Sequence, residues 1–376
     1  MLKKVSDCDL YTPFHYFTSF NAIKRFYTGG SSDPSASAQG QGVVRVGSRS
    51  SELAMIQTRT IVSALQSLYP DIKFEITTMK TIGDKILDKA LPKIGQTNLF
   101  TKELELALAA NEIDMITHSL KDLPTTLPPG MTISVIYKRD NPTDALVLNP
   151  KHKGLTIDKL PQGCVIGTSS LRRIAQLKQN YPTLVYKDVR GNLNTRLRKL
   201  DEGDGEIRYD ALVLATAGLE RMKWGERISQ ELDPVKCLYA VGQGALAVET
   251  RADDLRINQL LRPLNDPETF ITCTAERAFL HTLGGGCSVP VGVHSNLAPS
   301  KGKICITGAV FSLDGSDVVK DALEGDLPAN YVEQSLEEWL AFGDKFGCDL
   351  AESLLAKGAG PILEKAKKDM EQSTAK

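Results

Sequence analysis

The sequence predicts an α/β chain: two similar lobes joined by a hinge, followed by a third, small α+β domain. Three observations predict it. An apolar run, a turn of small residues and an amphipathic helix follow one another at residues 43–64 and again at 164–180. Each copy later has an Asp-led apolar run, at 114–117 and 210–214. From about residue 264 the pattern changes to one helix, a glycine loop and longer strand-like runs. Repeated strand–helix units build parallel-type sheets, whereas segregated helices and strands build α+β domains.

Taken in order, residues 1–42 are expected to be a disordered extension, because residues 29–40 are almost all Gly, Ser, Ala and other small or polar types. A transit peptide is the alternative, but Asp7 and Asp9 sit badly in a class of segment poor in acids. The first lobe spans 43–140 plus 245–262. It opens with a strand at 43–46, a Gly/Ser turn to Ser51, and a helix whose Leu53, Ile56, Thr60, Ile61 and Ala64 recur at helical spacing. That helix stops before Tyr69-Pro70, and residues 74–77 read as the next strand. The second lobe, 141–244, repeats this with a strand from Cys164, a Thr168-Ser169-Ser170 turn, a helix over 171–180, Tyr181-Pro182 and a strand at 183–187. The run at 241–249 returns the chain to the first lobe. Two crossings make a hinge with a cleft beside it, the usual ligand position in open α/β sheets. The third domain, 263–376, has a helix over 267–281, the loop 284–290, strands at 304–311 and 317–324, and two terminal helices.

At 376 residues the chain is long enough for two or three cores. A net charge of -1 advertises no field for polyanions, so any basic site is a local cluster. No apolar run approaches the roughly 18 residues of a membrane span. The seven cysteines form no CxxC pair and the five histidines show no ligand spacing, which argues against a disulfide framework and a metal site and for a reducing cytosol.

Four features carry chemistry. The turns with Ser48, Ser50 and Ser51, and with Thr168, Ser169 and Ser170, offer N–H groups and hydroxyls to an anion; simple helix capping explains them equally well. Arg49, Arg172, Arg173, Arg190, Arg196 and Arg198 crowd the same places, and their planar forks suit carboxylates or phosphates, although a solvated face is the usual fate of any single arginine. No aromatic interleaving points to nucleic acid. Asp122 follows Lys121 at the end of an apolar strand, where a carboxylate can stabilise a cation or move a proton; capping a turn before Pro124 is the bland role. Cys287 lies after three glycines, a loop that can bend around a bulky group, and so reads as a covalent attachment point or nucleophile.

The segments 80–88, 118–125, 167–173, 190–198, 240–245 and 285–291, in that order, resemble the porphobilinogen deaminase (hydroxymethylbilane synthase) family over residues 43–376. The resemblance implies two lobes like those of periplasmic binding proteins and a third domain bearing the cofactor cysteine. It implies a dipyrromethane held by a thioether to Cys287, on which four porphobilinogen molecules are joined with loss of ammonia. Water then releases hydroxymethylbilane. It makes Asp122 the catalytic carboxylate, steadying a cationic azafulvene. It gives the acetate and propionate groups to Arg49, Arg172, Arg173, Arg190, Arg196 and Arg221, aided by Ser51, Lys93, Thr168, Ser169 and Ser170. Ser119, Lys121, Gln243 and Gly244 match positions near the cofactor. Thr97 stands where the family usually has Lys, and Gly284 where it is often acidic; the stretch from Asp317 to Gly347 is short. A cytoplasmic monomer acting on a small molecule, without nucleic-acid or membrane partner, is expected. The rival from another class is a two-lobed anionic-solute binding protein. It accounts for lobes and arginines but not for Cys287 on its loop or Asp122 beside Lys121.

Overall fold

A computed structural model describes residues 42–81, 101–284 and 289–374. Residues 1–41 of the expected extension, Lys93, Thr97 and Cys287 lie outside them. The chain runs β1 (Val43–Arg49), α1 (Glu52–Leu68), β2 (Lys73–Met79), α2 (Lys102–Ala109), β3 (Met115–Ser119), β4 (Met131–Tyr137), β5 (Asp144–Leu148), β6 (Val165–Gly167), α3 (Leu171–Asn180), β7 (Val185–Lys187), α4 (Leu193–Glu202), β8 (Ala211–Ala215), α5 (Thr216–Arg221), β9 (Gln230–Glu231), β10 (Leu246–Arg251), α6 (Leu255–Leu261), α7 (Pro267–Thr282), β11 (Val291–Ala298), β12 (Lys303–Phe311), β13 (Val318–Asp326), α8 (Leu336–Ala356) and α9 (Ala359–Thr374).

Two mixed five-stranded sheets and one antiparallel three-stranded sheet result, in the orders β2-β1-β3-β10-β4, β7-β6-β8-β5-β9 and β11-β12-β13. The two large sheets share one plan. In each, a central strand pairs in parallel with two neighbours, β1 with β2 and β3, β6 with β7 and β8. In each, the fourth strand is antiparallel and is the one reached by crossing from the other sheet, β10 in the first and β5 in the second. The likeness extends to single residues. A Cβ on Gly47 would stand 2.5 Å from Ile113 Cδ1, and one on Gly167 2.5 Å from Leu212 Cδ2, so both central strands need glycine where the chain turns toward its helix.

The helices follow from their sequences. Ser51 caps α1, its Oγ accepting from the Ala54 N–H, with Glu52 in the first turn and Ala54, Ile61 and Leu65 on the buried stripe. Ser170 caps α3 in the same way, accepting from the Arg173 N–H. One face of the first sheet packs Val44, Val46, Met115 and Val248 against Ile61 and Leu65. The other face, with Ile116 and Ala247, shares a continuous core with the third domain through Phe270, Phe279, Val291, Ile306 and Leu350. The third domain is therefore built onto the first lobe. Among the described residues, no helix is long and apolar enough to cross a membrane.

Candidate active site

Asp122 ends a short 3-10 turn, Leu120–Asp122, that follows β3 at its carboxyl end. Its side chain is exposed, while Leu120 and Leu123 on either side are buried in the core shared with the third domain. Arg277 on α7 ties down the next stretch: its guanidinium donates to the carbonyls of Leu123 at 3.3 Å and Pro124 at 2.7 Å. The third domain thus fixes the backbone that carries the carboxylate. Leu283, Val289 and Val291, which flank the glycine loop, belong to the same core as Leu120 and Leu123.

Lys121 links the lobes. Its Nζ donates to Gln243 Oε1 at 3.3 Å, and Gln243 Nε2 donates to Asp144 Oδ1 at 2.8 Å and to the Pro142 carbonyl at 2.7 Å. Burial pushes the Lys121 amine down to about 8; Arg173 and Arg172 act in the same direction, and Asp122 and Asp144 oppose them. Arg196, on α4 of the second lobe, is pushed down to about 10, by burial first and then by Arg173 and Arg190, with Asp188 and Asp122 opposing. Asp122 of one lobe therefore lies in the field of guanidiniums from the other. Burial is the larger cause of both depressed values, and the neighbouring guanidiniums add to it.

The arginines divide into two groups. Arg172 and Arg173 are buried and share one carboxylate, Arg172 Nη1 to Asp144 Oδ2 at 2.7 Å and Arg173 Nη2 to Asp144 Oδ1 at 2.6 Å. Burial works to raise the Asp144 carboxyl, but the two guanidiniums outweigh it and hold it well below the usual range. Arg172 also donates to the Leu238 carbonyl and Arg173 to that of Val213, so much of their donor capacity is spent within the protein. Arg173 Nε, however, is buried without a partner. Arg190 and Arg196 are less committed: Arg190 Nε donates to Asp188 at 3.2 Å, Arg196 Nε to the Gly191 carbonyl at 2.8 Å, and Arg190 Nη2 is buried with no partner. Orphaned buried donors are costly unless something absent from the apoprotein accepts from them.

The remaining candidates sit as follows. Arg221 is at the hinge, donating to Asp140 Oδ2 at 2.8 Å and to the Gly244 carbonyl at 2.6 Å. Gly244 has a φ of +89°, and a Cβ there would stand 2.5 Å from the Asp140 carbonyl oxygen, so only glycine lets the two crossings touch. Gln243 is buried and spent on the hinge contacts above. Ser119 Oγ accepts from Gln57 Nε2 at 2.9 Å. Ser51 and Ser170 cap helices, Ser169 Oγ donates to the Val189 carbonyl at 2.6 Å, and Thr168 is buried with its Oγ1 accepting from the Ser170 N–H. Arg49 is half-buried at the end of β1, and Arg198 is exposed on α4. The structure thus brings Lys121 and Asp122 together with Arg173, Arg190 and Arg196. It uses Arg221, Gln243 and Gly244 mainly where the chain crosses between the lobes, and Arg172 inside the second lobe, on Asp144 and the Leu238 carbonyl.

Sequence reasoning missed Asp144, Arg277 and the pair Arg139–Glu276. Arg139 lies in the first crossing, and its Nη1 and Nη2 meet the Glu276 carboxylate at 2.6 and 3.0 Å. Glu276 also accepts from the Gly242 N–H at 2.7 Å, so one carboxylate of α7 joins both crossings to the third domain. The signal available was an acid in an otherwise apolar run, as at Asp144-Ala145-Leu146-Val147-Leu148.

Two family profiles match the chain: "Porphobilinogen deaminase, dipyromethane cofactor binding domain" over residues 44–259, and "Porphobilinogen deaminase, C-terminal domain" over residues 270–337. This chain belongs to the porphobilinogen deaminase family. The porphobilinogen deaminase of Nostoc sp. is 49% identical over 320 residues, covering 85% of this chain and 93% of its own length. That of Synechococcus elongatus is 50% identical over 321 residues, 85% and 94%. That of Gloeobacter violaceus is 49% identical over 324 residues, 85% and 93%. The Bordetella pertussis BvgS periplasmic VFT2 domain is similar at 17% identity and a TM-score of 0.35, over 66% of this chain and 92% of its own, a likeness too distant to carry weight. The expectations of a porphobilinogen deaminase, of a transferase and of a dipyrromethane cofactor are borne out by the family. The rival reading, a binding protein without catalysis, is not favoured.

Proposed function

We propose that this porphobilinogen deaminase assembles its product between the two lobes, with Asp122 as the catalytic carboxylate and Arg49, Arg173, Arg190 and Arg196 receiving substrate carboxylates. The observation that carries this reading is the convergence of Lys121 and Asp122 with guanidiniums of the opposite lobe, where Arg190 Nη2 and Arg173 Nε are buried without partners. Such donors fit a dipyrromethane, whose pyrroles carry acetate and propionate groups, and Cys287 is the residue to hold it by a thioether. When bound, the cofactor supplies the free pyrrole carbon to which the first substrate unit is joined.

The protein's own groups do the rest. Arg190 and Arg196 neutralise carboxylates of the incoming porphobilinogen and set its aminomethyl group near Asp122. The C–N bond breaks, nitrogen leaves as ammonia, and positive charge spreads over the substrate ring. Asp122 accepts the pyrrole N–H and stabilises that charge. Asp122 would also be the base that takes up the proton released when the substrate carbon is joined to a bound cofactor. Lys121, on the same turn, offers a further cation for substrate carboxylates. Four rounds and a final attack by water give hydroxymethylbilane.

We further propose the lobe limits 43–140 plus 245–262 and 141–244, with 263–376 as the cofactor domain, and a monomer in a reducing cytosol with no nucleic-acid partner. The five described cysteines are free, and the net charge is near zero, both in keeping with this. The test is the intact mass of the full chain. An increment of one dipyrromethane is expected, and it is lost in Cys287→Ser together with turnover. An active protein of unmodified mass overturns the proposal.

A further inference from the structure

We infer that the second lobe carries a binding site for one zinc-like divalent cation, formed by His152, Cys164 and Asp210 at the end of the sheet remote from the cleft. Sequence spacing argued against any metal site, because these three residues come from separate segments. The fold brings their ligand atoms within 4.8 Å of one another. His152 closes the 3-10 turn Pro150–His152 after β5, Cys164 directly precedes β6, and Asp210 directly precedes β8. The cleft residues Thr168–Ser170 follow the opposite end of β6. A five-residue strand such as β8 spans about 17 Å, so the two sites are separate.

The geometry is already that of a partly organised site. Asp210 Oδ2 accepts from the Val165 N–H at 2.7 Å, which fixes the carboxylate and leaves Oδ1 facing inward. Oδ1 lies 2.7 Å from His152 Nε2, and Cys164 Sγ lies 3.9 Å from the same nitrogen. An S, N, O set with the carboxylate oriented by a backbone donor suits a borderline-soft divalent ion in a tetrahedron, with water in the fourth place. His152 and Asp210 side chains are 15% and 12% exposed, enough for entry without a lid.

A cation already occupies part of this position. Lys151 Nζ sits 2.7 Å from Asp210 Oδ1, on a side chain 55% exposed. A half-exposed ammonium leaves for water at little cost. The competing reading, a closed His–Asp–Lys network, takes in Cys164 only through its 3.9 Å contact with His152 Nε2, a weak use of a thiol placed between a histidine and a carboxylate. On binding, the thiol gives up its proton to solvent, the ion sheds bound water as the sulfur–metal bond forms, and Lys151 swings out. The burial and the Asp210 charge that raise the Cys164 thiol are then offset by the metal's own charge.

Equilibrium dialysis of the full holoprotein with zinc chloride tests this, alongside ultraviolet difference spectra with cadmium. One equivalent is expected on the wild type, with a thiolate-to-cadmium absorption band. Cys164→Ala and His152→Asn each weaken binding at least about 100-fold, and Cys164→Ala abolishes the band. Turnover of both variants stays at the wild-type level, which confirms that they fold. Equal binding by wild type and variants, or cadmium bound without a thiolate band, overturns the inference.

Discussion

Asp122 is exposed on its turn, with both flanking leucines buried, so its side chain contributes little to the fold. Its loss is expected to appear in chemistry alone. Asp122→Asn keeps the shape and removes the charge, and turnover should fall by roughly 10²–10³. Retained cofactor mass and an unchanged melting temperature, measured on the same sample, distinguish this from misfolding; wild-type turnover would sink the role. Lys121 is the pH-sensitive neighbour. Folding holds its amine at about 8 against an ordinary 10.5, so the folded chain binds fewer protons between those values. The penalty is fully present below pH 8 and fades as pH rises toward 10.5. Urea denaturation at pH 7.5 and pH 10 should show the wild type gaining stability relative to Lys121→Met over that interval; a difference that does not change with pH rules this out.

At the level of elements, α7 and α8 approach closely because α8 has glycine where they meet. A Cβ on Gly343 would lie 2.7 Å from the Ile271 carbonyl oxygen, and one on Gly347 would press into that of Ala275. Replacing glycine by alanine in a helix usually gains about 1 kcal/mol. Forcing a methyl group into a backbone carbonyl costs about 1–3 kcal/mol. On balance the clash outweighs the propensity gain, so Gly347→Ala is expected to lower stability by about 1 kcal/mol, read from denaturant titration; a more stable variant would contradict the packing. The repeated unit of strand, small-residue turn and helix was legible in the sequence because each part has its own local signal. The helix predicted at 171–180 is α3 to the residue, and the strands predicted at 304–311 and 317–324 are β12 and β13 within two residues. β11 was not read, since His294, Ser295 and Asn296 break its apolar run. α2 was also missed, being only eight residues long. Within the site, the cationic segments could be read locally. Which arginines are spent on Asp144 could not, because that depends on contacts between residues 28 and 29 positions apart.

Across the whole molecule, the node at Arg139 and Glu276 joins two crossings and a third domain. Arg139 also stacks over the Tyr239 ring, 4.9 Å from its centroid, and Tyr239 bridges to Val293 of β11 through paired backbone hydrogen bonds. Glu276 is fully buried, and removing its charge strands a buried guanidinium. Glu276→Gln is expected to cost about 3–5 kcal/mol. Calorimetry on the full chain checks this; a loss under about 1 kcal/mol would mean that the node is dispensable. Because the same carboxylate accepts from Gly242 in the second crossing, the cofactor domain and the hinge are expected to lose order together.

The placement of β10 between β3 and β4 has a consequence for biosynthesis. All five strands of the second sheet emerge from the ribosome consecutively, so that lobe can close while translation continues. The first sheet stays split until Arg251 has emerged, its two halves exposing unpaired edges meanwhile. A nascent chain halted before that point is a client for chaperones rather than a smaller working enzyme.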